Sequence, residues 1–213
     1  EDMNIIEVIE GGLFTTVQDL GRYGYQRYGV PVSGAMDQYA LRMSNLLVGN
    51  KEDEAALEGS LIGPKLSFLE DALVAIGGGD LQPMVGNQPF PMWQAVRIRR
   101  GSLLSFKGPS DGVRAYLAMA GGIDVPILMG SKSTYVGSAL GGFDGRVLKA
   151  GDQIRGTPIP SSHFFEDAEL PDWYIPSYGH RHLLRVIVGL QDDLFTAKGI
   201  ETFLSATYTV SSQ

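Results

Sequence analysis

The sequence predicts a mainly β protein with a few helices, a sandwich or barrel of short strands. Three observations carry this expectation. The apolar runs are short and numerous. Glycine is in excess, 28 of 213 residues where about 7% is usual, and has no fixed period, which excludes collagen-like and simple repeat architectures. The glycines also fall between the apolar runs, in turn signals such as Gly86-Asn87, Arg100-Gly101-Ser102 and Lys107-Gly108-Pro109.

Taken in order, residues 4–10 read as the first strand, and Leu13 and Val17 mark a second run. A helix is predicted over 36–48. It has Met36, Tyr39, Ala40, Met43, Leu46 and Leu47 on one face, Ser33 or Gly34 to open it and Gly49-Asn50 to close it. Strands follow over 61–68, 72–76, 95–98, 103–106 and 113–119. Gly77-Gly78-Gly79 is a weak nucleotide signal because no helix follows it; a turn or bulge is the favoured reading. Residues 157–181 change character, with Pro158, Pro160, Pro171 and Pro176 among Ser, Asp and Glu, as in a linker or surface arm. A strand over 182–189, a helix over 194–204 and a strand over 207–210 follow. The domain plan is a first lobe over 3–156, a Pro-rich linker over 157–181 and the beginning of a second lobe over 182–213.

Hydrophobic residues make up 44% and charged residues 19%, enough for a substantial core. The net charge of −7 repels phosphate backbones, so nucleic acid is not an expected partner. Arg97, Arg99 and Arg100 read as a solvated strand edge. There are no cysteines, hence no disulfide, thiolate nucleophile or Cys-based zinc site. This fits a reducing cytoplasm, the expected location. No apolar run reaches the length of about 18 residues that a membrane span needs, and no signal peptide follows Met3. His180 and His182 would share a strand face, with His163 on the linker; surface or packing roles are expected, and no metal. No G-x-S-x-G elbow occurs, so the chain offers no self-sufficient hydrolase triad.

The loop between the second run and the first helix is the densest in polar groups. Gln18, Asp19 and Arg22 place an amide, a carboxylate and a guanidinium close together, and an Arg fork suits a carboxylate or carboxyphosphate. Ser33, Gly34 and Asp37 lie where backbone N–H groups at a helix start would meet an anion. The structural alternative is that Asp19 and Arg22 pair with each other to pin the loop while Ser33 caps the helix. A second constellation is Gly130-Ser131-Lys132-Ser133-Thr134, followed by Gly141-Gly142. It lacks the Walker spacing and a following helix. Lys132 with three hydroxyls still suits an anion or a polarised carbonyl; the alternative is a solvated loop turned by glycines.

The stretch GLFTTVQDLGRYGYQRYGVPVSGAMD, Gly12 to Asp37, resembles the opening of the family of C-type 5-oxoprolinase subunits. That biotin-dependent carboxyltransferase-like family overlaps the second half of the urea carboxylase carboxyltransferase domain, also called allophanate hydrolase subunit 2. It also contains an antagonist of a sporulation-kinase inhibitor. The likeness continues through residues 45–50, Ala56-Leu57-Glu58, Ile62-Gly63-Pro64, residues 114–118, Gly121-Gly122-Ile123, residues 130–134 and the glycines from Gly141 to Gly151.

The resemblance implies a cyclophilin-like β-barrel and family chains that run well beyond Gln213 into a second barrel-like lobe. It implies a non-autonomous subunit of an ATP-dependent 5-oxoprolinase, a hydrolase opening 5-oxoproline to glutamate with A-type and B-type (kinase-inhibitor-like) partner subunits. ATP would serve the complex without necessarily binding this chain. At the positions so marked, residue chemistry suggests Asp19, Arg22 and Lys132 as catalytic residues. Arg22 would hold the substrate carboxylate. Lys132, Ser133 and Thr134, beside Ser131, would steady a phosphate or oxyanion. Gln18 and Asp19 would orient the ring amide, with Ser33, Gly34 and Asp37 nearby. Two other readings stay open. One is a regulatory protein that binds a histidine-kinase inhibitor and does no chemistry. The other is a carboxyltransferase acting with carboxybiotin on urea or a related amide, its biotin carrier supplied from elsewhere. Glutamate release, inhibitor binding and biotin dependence separate the three.

Overall fold

In the computed structural model, which describes residues 3–157, 159, 168–179 and 181–210, the strands pair as two antiparallel sheets. One runs, in spatial order, β11 (Gln153–Gly156), β1 (Met3–Glu10), β4 (Lys65–Phe68), β9 (Leu103–Phe106), β6 (Pro83–Val85) and β7 (Gln88–Pro89). The other runs β2 (Phe14–Gln18), β3 (Ala56–Ser60), β10 (Asp111–Met119), β5 (Ala72–Asp80) and β8 (Ala95–Ile98). Two helices are added, α1 (Gln38–Leu47) and α2 (Ala197–Ser205).

β5 and the second half of β10, residues 115–119, are buried on both faces, which is why they read as continuous apolar runs. Val74 and Ile76 of β5 join Ile6, Leu66, Phe68 and Leu104 in the core between the sheets. Leu73 and Ala75 alternate to the opposite face and join Tyr116, Ala118 and α1. Full burial of each large side chain is worth about 1.5–3 kcal/mol.

The first helix exists but starts later and buries only part of the face its periodicity suggests, Ala40 and Leu47 with Met43 packed beside them. Asp37, not Ser33 or Gly34, is the N-cap, its carboxylate accepting from Ala40 N at 3.0 Å. Ala40, Leu41, Ser44, Asn45 and Leu47 are buried, while Met36 and Leu46 are exposed. Small side chains win this face because the sheet comes so close: a Cβ on Gly77 would lie 2.5 Å from Ser44 Oγ. The stop is as predicted, with Gly49 at φ 78°.

The glycine triplet continues β5 and forms a bulge, as favoured from the sequence. Asp80 pairs with Asp111 while Gly78 pairs with Ala115, so the register slips. Gly78 has φ 93°, and a Cβ there would meet Arg114 O at 2.5 Å. The hairpin at Gly86-Asn87 also forms, with Val85 opposite Gln88. Arg97 Nη2 and Arg100 N bind Asp71 at 2.5 and 2.8 Å, which ties the basic cluster down as a strand edge.

The closed cyclophilin-like barrel implied by the resemblance does not form among the described residues. In the five-stranded sheet, irregular segments take both of the edges that closure would use. Thr134 N and Leu148 N bond Val17 O and Thr15 O on β2, at 3.0 and 2.9 Å. At the start of β8, Ala95 N bonds Ala168 O at 2.7 Å, and Leu170 N bonds Trp93 O at 2.8 Å.

Arg146 grips Asp152 at 2.7 and 2.9 Å, and Lys149 N adds a third bond at 2.8 Å. Burial pushes the Asp152 carboxyl up, but the Arg146 hydrogen bonds and the Lys149 N–H outweigh it and hold the group below its usual range. The folded pKa is therefore below the unfolded one. The stabilisation is present above the unfolded pKa and drains as pH falls through the folded value. In acid titrations followed by circular dichroism, Asp152→Asn should lose less stability than wild type on going below about pH 4, from a lower starting point.

A second unit, His180–Gln213, contains α2, capped by Thr196 Oγ1, which accepts from Gly199 N at 3.1 Å. The helix begins after a 3-10 turn over Asp192–Leu194, later than predicted. Residues 182–189 and 207–210, predicted as strands, carry no strand. Strands need a paired neighbour, and Leu183, Ile187 and Val210 stand exposed. Pro158, Pro160, His163 and His180 lie outside the described residues. Among the described residues no helix is long and apolar enough to cross a membrane.

Candidate functional site

The two polar constellations meet. Asp19, just after β2, accepts at Oδ1 from Gly21 N (2.8 Å), Ser131 Oγ (2.7 Å) and Ser133 Oγ, and at Oδ2 from Lys132 N (2.6 Å). Arg22 donates from Nε to Leu128 O (2.9 Å) and from Nη2 to Ser133 O (2.8 Å). Gln18 donates to Thr134 O and accepts from Gly34 N, both at 3.2 Å. Thr134 Oγ1 donates to Val17 O at 2.9 Å. All six side chains are buried, Arg22 to 0% exposure. Asp19 and Arg22 form no ion pair with each other among the described residues. Instead each holds Ser133, one by its hydroxyl and the other by its carbonyl.

Lys132 turns elsewhere, donating to Glu54 Oε1 (2.5 Å) and Ile123 O (2.8 Å). Ser33 and Gly34 have φ of 56° and 89°. A Cβ on Gly34 would lie 2.8 Å from Gly21 N, so only glycine lets the loop fold back on itself there. The arrangement is a buried polar clamp joining the loop after β2 to residues 128–134.

Open volume lies at the bulged ends of β5 and β10, in a cleft of about 440 Å³. Met84, Phe90, Met92 and Trp93 give it an apolar floor, and Asp80, Lys107, Asp111 and Tyr178 bring polar groups to its walls. Trp93 sits at φ 58°, a left-handed conformation costly for a bulky residue. Bonds from Trp93 N to Ile76 O (2.8 Å) and from Leu170 N to Trp93 O (2.8 Å) hold it there. The Asp80 carboxylate is occupied by Gln82 N (2.7 Å) and Ser110 Oγ (2.6 Å). Lys107 is exposed and forms no ion pair among the described residues.

Asp37 is the predicted site residue that reaches this cleft, through Tyr178, whose hydroxyl donates to Asp37 Oδ2 at 2.6 Å. Burial, then the hydrogen bond to Asp37 and the charges of Asp37 and Asp111, push the Tyr178 phenol above its usual range. Behind Asp37, its backbone N–H bonds Tyr116 Oη (2.8 Å). Tyr116 donates to Glu58 Oε2 (2.7 Å), and Glu58 Oε1 accepts from Arg114 Nη1 (3.0 Å). Asp80, Lys107, Asp111 and Tyr178 were not singled out by sequence reasoning. The glycine bulge before Asp80 and the turn at Lys107-Gly108-Pro109 were the available signals; Tyr178 had none.

Comparison with known proteins adds a lineage. The family model described as carboxyltransferase domain, subdomain A and B, matches residues 28–213. The chain is 38% identical over 215 residues to the urea amidolyase of Saccharomyces cerevisiae, covering 96% of this chain and 12% of that protein. It is 41% identical over 152 residues to the C-type subunit of the Escherichia coli 5-oxoprolinase, covering 70% of this chain and 48% of that one. The chain thus spans about half the length of the bacterial relative. Among solved structures, the urea amidolyase of K. lactis superposes with a TM-score of 0.76 at 37% identity, over 84% of this chain and 11% of that one.

Proposed function

The chain belongs to the carboxyltransferase domain family, subdomains A and B, and from that premise we propose that it holds a small amide within a multi-subunit, ATP-dependent enzyme. The substrate in this reading is 5-oxoproline and the product glutamate, with A-type and B-type partners completing the assembly. The observation that carries it is the cleft, where an apolar floor adjoins Lys107 and carboxylates. 5-Oxoproline has matching parts: ring methylenes for Met84, Phe90 and Met92, and a carboxylate for Lys107. The net reaction adds water across the lactam C–N bond, hydroxyl to the carbonyl carbon and a proton to nitrogen, coupled to hydrolysis of ATP by a second water to ADP and phosphate.

The described residues offer no cradle for a triphosphate. Gly78 and Gly79 of the β5 bulge pack against the β10 backbone and Gly77 against Ser44 and Trp93, and Asp80 and Asp111 on the cleft walls repel phosphate. We assign ATP to a partner subunit. Gln18, Asp19, Arg22, Ser131, Ser133 and Thr134 then act as the frame of the loop leading to Asp37, and Lys132 as a tie to Glu54.

A second reading, carboxyl transfer to urea or a related amide, draws on the extent of the matches: 96% of this chain for the yeast urea amidolyase against 70% for the bacterial 5-oxoprolinase relative. The apolar floor would then receive the ring of carboxybiotin brought by a separate carrier.

The deciding experiment is co-purification with A- and B-type partners, followed by assay of glutamate from 5-oxoproline. ATP-dependent glutamate that disappears when this chain is omitted is the expected result. Biotin-dependent consumption of urea without glutamate would put the second reading in its place.

A further inference from the structure

Resting on the cleft as the substrate site, we propose that Tyr178 selects ligands presenting an N–H, so that the cleft takes a lactam, amide or ureido group and rejects the isosteric ester. A phenol has one proton to give. That of Tyr178 is committed to Asp37 Oδ2 at 2.6 Å. Asp37 cannot return one, because its other oxygen caps α1 by accepting from Ala40 N at 3.0 Å. Tyr178 lines the cleft, and with its proton committed its oxygen has only lone pairs to offer a ligand there.

The other acidic groups on the walls are acceptors as well. Asp80 already takes Gln82 N and Ser110 Oγ, and among the described residues Asp111 takes a long bond from Tyr178 N at 3.4 Å. A lactam N–H set against this wall gains a hydrogen bond. A ring ester places oxygen against oxygen, and a buried acceptor without a donor is costly.

The polarity is fixed by the fold. Asp37 N is held by Tyr116 Oη, itself bonded to Glu58. The Tyr178 ring lies so close to Gly112 that a Cβ there would come within 3.0 Å of it. The phenol cannot turn its proton outward without giving up its 2.6 Å bond to Asp37 Oδ2.

The test compares 5-oxoproline with its lactone isostere, 5-oxotetrahydrofuran-2-carboxylate, by calorimetry on the full chain, with circular dichroism confirming the fold of each variant. Wild type should bind the lactam about tenfold tighter or better. Tyr178→Phe keeps the ring and should bring the two ligands within about twofold. Asp37→Asn keeps the helix cap but turns an amide N–H toward Tyr178, releasing the phenol proton to the cleft; preference should move toward the lactone. A folded Tyr178→Phe that retains the wild-type ratio overturns the role of Tyr178 and leaves the cleft standing. Failure of wild type to bind the lactam in any Lys107-dependent way overturns both.

Discussion

Asp19→Ala is expected to lower stability by about 3–5 kcal/mol, seen as a drop in denaturant midpoint at unchanged slope. The carboxylate collects four donors: Gly21 N, Lys132 N and the hydroxyls of Ser131 and Ser133. Alanine removes the acceptor and leaves these groups buried without it, each at about 1–3 kcal/mol before relaxation. Arg22, fully buried on the same loop, also loses the nearby negative charge. Ser131→Ala should cost less, about 1–3 kcal/mol, because it leaves Asp19 three other donors but takes from Ser133 N its acceptor, Ser131 Oγ at 2.9 Å. Asp19→Asn should fall between the two, since its amide must present a donor to a partner that also donates. A loss below about 1 kcal/mol for Asp19→Ala would show that water reaches the clamp, and would return Asp19 and Arg22 to the set of substrate contacts.

Lys107→Gln should raise KM for 5-oxoproline at least tenfold, about 1.4 kcal/mol, with kcat nearly unchanged. The substrate carboxylate is spectator to the ring-opening step, so its contact is made equally in ground and transition states. Stability should stay within about 0.5 kcal/mol of wild type, because the side chain is exposed and unpaired among the described residues. Urea carries no charge, so an enzyme working on urea would show no comparable rise. The same variant thus tests the site and separates the two substrates.

Several features were legible because their physics is local. The helix stop at Gly49, the hairpin at Gly86-Asn87 and the irregularity at Gly77-Gly78-Gly79 follow from backbone freedom and turn chemistry within a few residues. The family likeness was legible for a similar reason, since it lies in contiguous motifs. The buried face of α1 was less so. Periodicity pointed to Met36, Tyr39, Ala40, Met43, Leu46 and Leu47; of these Ala40 and Leu47 are buried, but close contact with a sheet at Gly77 also demanded Ser44 and left Met36 and Leu46 outside.

The site was the least legible. Asp19 meets Ser131 across 112 positions of sequence, and Asp37 meets Tyr178 across 141. Residue types around Asp19 and Arg22 suggested a place for substrate, and folding closed that place with the protein's own hydroxyls and amides. The sequence by itself determined a glycine-punctuated β fold, the chemistry available to each loop and the family. Tertiary structure alone decided which polar groups satisfy one another and which are left facing a cleft, because hydrogen bonds are claimed by whatever donors long-range strand pairing brings within about 3 Å.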